Sequence, residues 1–171
     1  MATILLVAHE DDLFSSSHYL VRGLFPYWIE AGHEVLVREG TADLPRADVA
    51  ILHVDLTVVP LAYLEALRGF PAVINGATGD VSKRSFSQHL VVPGDGYGGP
   101  VIVKTDLNCG GQPEAFQAQV ALRKGRKLAP PVRFMRGRYP VFDSPAQVPA
   151  GVWRDPDLVV EKFLPERDER G

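Results

Sequence analysis

Cysteine is nearly absent from this chain: Cys109 is the only one in 171 residues. A single thiol excludes an intrachain disulfide framework and any zinc site built from several thiolates, and it fits a reducing, cytoplasmic location. A charge excess is missing too. The net charge of −3 gives no electrostatic footprint for binding duplex nucleic acid or an anionic membrane. No apolar run reaches the roughly 18 residues of a membrane-spanning helix. The apolar run at residues 4–8 has no basic segment before it and runs straight into acids, so no signal peptide is expected. Internal repeats and low-complexity tracts are also lacking. What remains is 46% hydrophobic and 23% charged, enough to build a core and too apolar for wholesale disorder. The length suits one domain or two small ones.

The first half alternates apolar runs with amphipathic segments. Residues 4–8, 33–37, 49–54 and 72–75 read as strands, the first as a strand buried on both faces. A helix is expected over residues 13–31, kinked or broken at Pro26 and ended by Gly32, and a short one over residues 61–68. This rhythm predicts a parallel α/β sheet. The link at residues 40–48 is nine residues long, too short for a helical crossover past the first strand, so the third strand is expected beside another neighbour. Glycine and proline then crowd residues 93–100, and a domain boundary is expected between about 80 and 100. A strand at 101–104, a Gly-bearing turn at 108–111, a helix at 115–124 and a closing strand at 158–164 follow. Residues 123–138 hold seven basic side chains and no acid, which reads as a solvated face.

Two features of the second half carry chemistry. Lys104 leaves a buried strand and would set a point charge at fixed depth. Gly110 and Gly111 then let backbone N–H groups approach an anion with no Cβ in the way. A strand-end lysine and a tight turn would account for the same residues without a ligand, and the glycines are not followed by the Gly-Lys-Ser/Thr of a P-loop. The second is Val159-Val160-Glu161-Lys162-Phe163-Leu164, where backbone groups could read a base edge between aliphatic side chains. An edge strand with two exposed charges is the plainer account.

In combination and in order, a strand ending in Lys104, the Gly110-Gly111 turn and a strand reading Glu-Lys-Phe-Leu resemble the ATP-grasp superfamily. The resemblance spans most of the chain. It implies a Rossmann-like pre-ATP-grasp domain over residues 1–80, whose last strand precedes Ser82-Lys83-Arg84, and a small α+β lid subdomain over 81–171. It further implies ATP as the bound nucleotide, with Lys104 on the α- and β-phosphates and Lys83 or Arg84 assisting. Gly110 and Gly111 would close over the phosphates, Glu161, Lys162 and Leu164 would frame the adenine, and Asp168 or Glu169 would reach the ribose. Lys83 and Lys104 stand only 21 positions apart, which is short for the family. The family's Mg²⁺ ligands are expected beyond Gly171, so the chain is expected to bind ATP without catalysing alone. The family reaction, joining a carboxylate to an amine or thiol through an acyl-phosphate, implies a small-molecule substrate; the oligomeric state stays open.

Two other readings rest on the N-terminal acids. Asp11 and Asp12, Asp55, Thr78 and Lys104, each after a strand, resemble a response-regulator receiver, with Asp55 as phosphoacceptor. The short link at residues 40–48 speaks against its strand order. Ala8-His9-Glu10-Asp11-Asp12 resembles the metal-binding motif of zinc-dependent N-acetyl-sugar deacetylases, but the remaining histidines are scattered singly. The plainest role for Asp12 is to cap the helix expected from Leu13. A non-catalytic nucleotide-binding scaffold is the remaining alternative.

Overall fold

Residues 4–7 are apolar without interruption, and the strand they form has no wet face. In the computed structural model, which describes residues 1–126 and 139–165, β1 (Thr3–Ala8) lies inside a parallel sheet ordered β2-β1-β3-β4. The other strands are β2 (Glu34–Glu39), β3 (Val49–His53) and β4 (Val73–Ile74). Alternate strand residues face opposite sides. Leu5 and Val7 therefore pack with Ala50, Leu52, Tyr63 and Leu67, while Leu6 and Ala8 pack with Phe14 on the other face. A strand covered on both faces needs this unbroken apolar run.

The third strand lies beside the first, which corrects the expectation drawn from the nine-residue link. Strands two positions apart are about 10 Å distant, and the link must also run back about 20 Å along the sheet. Nine extended residues reach about 30 Å, so no helix is needed. Leu44 and Ala47 of the link pack on the core instead. The chain moves outward from β1 to β2 on one side and from β3 to β4 on the other, placing the reversal of strand order between β1 and β3.

The helix expected over residues 13–31 is broken up. Two 3₁₀ segments, Phe14–Ser16 and Leu20–Leu24, precede α1 (Phe25–Glu30). The hydroxyls of Ser16 and Ser17 both donate to the carbonyl oxygen of Leu13, at 3.0 and 3.1 Å, diverting an acceptor that a continuing helix would use. Pro26 sits in the first turn of α1, where its missing N–H is no loss, so it begins a helix rather than kinking one. Gly32 ends α1 at φ 83°. Its N–H donates to Ile29 O and that of His33 to Trp28 O, the paired C-terminal bonds that favour glycine. After β3 comes α2 (Leu61–Ala66), whose buried residue is Tyr63.

By compactness the chain forms two units, Met1–Asp80 with Pro113–Val132 and Val81–Gln112 with Arg133–Gly171. The second unit contains α3 (Lys83–Phe86) and an antiparallel sheet, β6-β5-β7, of β5 (Val101–Thr105), β6 (Val141–Phe142) and β7 (Leu158–Lys162). Val101, Val103 and Val160 form its core with Val91 and Val148. The free side of β7 is also occupied: Val91 N–H donates to Val160 O and Lys162 N–H to His89 O, both at 2.8 Å. β7 is therefore not an edge strand. Helix α4 (Gln112–Arg123) belongs from Pro113 onward to the first unit, so the chain after residue 80 does not form a single block. Among the described residues no helix is long and apolar enough to cross a membrane.

Candidate functional site

In the second unit β5 and β7 pair with Ile102 opposite Glu161 and Lys104 opposite Val159. Opposed residues of an antiparallel pair share a face, so Lys104 and Glu161 are diagonal neighbours on the side away from Val101, Val103 and Val160. The Lys104 ammonium lies 2.8 Å from Glu161 Oε2, and the Ser87 hydroxyl donates to Glu161 Oε1. Glu161 is only 7% exposed, whereas the Lys104 side chain is 30% exposed, so the carboxylate is the buried base and the ammonium the accessible tip. Burial pushes the Glu161 carboxyl up, but the Lys104 and Ser87 bonds outweigh it and hold it below its ordinary value.

Lys83 opens α3 and donates to Leu107 O at 2.8 Å. Burial lowers its pKa against the pull of Glu161 and Asp106, and the nearby Lys104 lowers it further. Arg84, named as an assistant to the phosphates, is engaged otherwise. Its Nε reaches Asp106 Oδ2 at 3.1 Å and its Nη2 donates to Leu158 O at 2.6 Å, tying the end of β5 to the start of β7. With Asp106 offset by Arg84, Lys83 and Lys104 outnumber Glu161 and leave this face net positive.

Gly110 and Gly111 stand in the turn Asn108–Gly111, both buried, at φ 70° and 81°, after Cys109 at φ 45°. Three successive left-handed residues need glycine at most of the positions. Lys162, one step along β7 from Glu161, points the other way and holds its ammonium 5.1 Å from the centre of the Tyr97 ring. Leu164 is 60% exposed. The N–H groups of Lys162 and Phe163 are already given to His89 O and Pro100 O, so neither is spare for a base edge. Asp168, Glu169 and the stretch 127–138 of the basic segment lie outside the described residues. The structure thus brings together Lys83, Lys104 and Glu161, and it adds Ser87, which the sequence reading missed. Its one sequence signal is a hydroxyl one helical turn after Lys83.

The N-terminal acids are placed differently from either alternative. Asp12 does not cap a helix: Leu13, at φ 50°, is the residue before the 3₁₀ turn. The Asp12 side chain is instead buried and accepts the Tyr19 hydroxyl, which also lies 3.4 Å from Asp55 Oδ2. Asp11 pairs with Lys124 at 3.1 Å and with Arg126. The receiver set is not on one sheet, because Lys104 stands on β5 while Asp11, Asp12 and Asp55 follow strands of the parallel sheet. His9 stacks on Tyr63 and accepts from the Asp11 N–H at 3.1 Å. Among the described residues no group of three or more His, Cys, Asp or Glu side chains is arranged to hold a metal.

No family model matches this chain, and neither a curated protein nor a solved structure matches it.

Proposed function

We propose that the second unit binds ATP in the manner of an ATP-grasp ligase, within an enzyme that joins a carboxylate to an amine or thiol. The observation that carries this reading is the Lys104–Glu161 pair at 2.8 Å, with Lys83 in electrostatic reach of both. Two ammonium groups, Lys104 on β5 and Lys83 at the start of α3, beside a turn of buried glycines, match the chemistry of a polyphosphate. Lys104 would bind and orient phosphate oxygens, Lys83 would add charge, and Glu161 with Ser87 would hold the Lys104 ammonium in place. Magnesium finds no matching donor set among the described residues, so no step is assigned to it. Lys162 and Arg84 support the architecture rather than the nucleotide.

Titration calorimetry with ATP and Mg²⁺ tests the reading. The wild-type chain is expected to bind, and Lys104→Ala and Lys83→Ala are each expected to weaken binding by about tenfold or more, the loss of one charge-assisted bond. Lys162→Ala should leave binding nearly unchanged. Absence of binding by the wild type would leave a scaffold. Labelling of Asp55 by a small phosphodonor, abolished in Asp55→Asn, would favour the receiver instead.

A further inference from the structure

Four buried polar atoms of the first unit have no hydrogen-bond partner among the described residues: Asp12 Oδ2, His53 Nε2, Glu114 Oε2 and Gln117 Oε1. They belong to one connected group. The Tyr19 hydroxyl joins Asp12 to Asp55, and the His53 ring meets the Tyr19 ring edge-on at 4.5 Å. From α4, Gln117 donates to Asp55 O at 3.3 Å, and Glu114 accepts from the Thr57 N–H at 2.7 Å and from its hydroxyl. The group sits just past the carboxyl ends of β1 and β3, where the strand order reverses and where open α/β sheets receive ligands.

Asp12 is 2% exposed and Gln117 5%, and buried acceptors left unpaired call for a partner. Three of the four orphan atoms are oxygens that can only accept from a donor. Among the described residues no lysine or arginine pairs with Asp12, Asp55 or Glu114: Lys124 and Arg126 are spent on Glu10 and Asp11. Burial pushes Asp12 and Asp55 above their ordinary value; the Tyr19 hydroxyl and, at Asp55, the His53 ring oppose it, and the neighbouring carboxylates add to it. The side chains do not form a metal-holding group, and what the three oxygens lack is an N–H or O–H donor.

We propose that this end of the parallel sheet is a second binding site, taking a small organic cation whose ammonium or guanidinium N–H groups donate to Asp12, Glu114 and Gln117. All of its residues lie in the first unit, so it stands or falls independently of the nucleotide reading. Ethylammonium, 1,3-diaminopropane and methylguanidinium are the probes, followed by thermal unfolding and by amide shifts of the full chain. Tetramethylammonium carries the charge without N–H donors, and 1,3-propanediol carries donors without the charge. The expected result is a saturable rise in Tm with at least one N–H cation, amide shifts at residues 12, 53–57 and 114–117, and no response to either control. Asp12→Asn is expected to weaken the response by about tenfold, with Glu114→Gln as the substitute should Asp12→Asn lose its far-ultraviolet spectrum, while Lys104→Ala leaves it intact. No response to any of the three cations, an equal response to tetramethylammonium, a response indifferent to Asp12→Asn and Glu114→Gln, or a response to divalent metals alone would each overturn the proposal.

Discussion

Glu161 has both carboxylate oxygens committed, one to Lys104 and one to Ser87. Removing the ammonium strands a buried charge, and Lys104→Ala is therefore expected to destabilise the chain by about 1–3 kcal/mol. The double variant Lys104→Ala/Glu161→Ala should recover much of that loss, because the orphaned carboxylate goes with its partner. Urea unfolding of the four members of the cycle measures it. Since the folded-state pKa of Glu161 is depressed, the stability it contributes is present above the ordinary value of 4.5 and is lost as pH falls through the lower, folded value. Asp12 has the opposite sign. Its raised pKa means that ionisation costs stability at neutral pH, and that this cost is absent below its ordinary 3.8. Asp12→Asn is thus expected to raise Tm at pH 7, with the gap to wild type closing as pH falls towards 4; a gap that widened on acidification would refute the assignment. At this scale the sequence carried part of the geometry. Strand alternation separates Glu161 from Lys162, so their opposite faces are readable from position alone. Ser87 and the Tyr19 bridge were not readable, since both depend on segments 74 and 36 residues apart meeting in space.

Elements divide by what sets them. Strands β1, β3 and β5 follow from apolar runs, and their buried residues are those runs. The segment from Leu13 to Ala31 misled, because its apolar spacing suits a helix while Ser16 and Ser17 compete for the acceptor that would continue one. Pro26→Ala distinguishes the two descriptions. With Pro26 in the first turn of α1, the substitution is expected to lose about 0.4–1 kcal/mol through the freer unfolded chain. A gain of several kcal/mol would mean that a kinked helix had been relieved. Gly32→Ala is expected to cost about 1 kcal/mol, because the residue holds φ 83° and an added Cβ meets nothing within 4 Å, leaving conformational strain as the only term. The nine-residue link was misjudged for a geometric reason: a helix is the usual filler of a parallel crossover, but an extended chain covers the distance, anchored here by Leu44 and Ala47.

For the molecule as a whole, the alternation of apolar runs with amphipathic segments foretold the mixed α/β character, and the structure has a parallel four-stranded sheet and a small antiparallel one. The return of α4 from Pro113 to the first unit was hidden, since nothing in the helical pattern of α4 says which core it serves; its anchors are Glu114 on Thr57 and Gln117 on Asp55. The nucleotide reading therefore depends on where ATP settles. Amide hydrogen exchange of the full chain, with and without ATP and Mg²⁺, locates it most directly. The expected result is slowed exchange in peptides covering residues 83–87, 101–111 and 158–162, abolished in Lys104→Ala. Slowed exchange confined to residues 9–12 and 53–57, or no change anywhere, would contradict it.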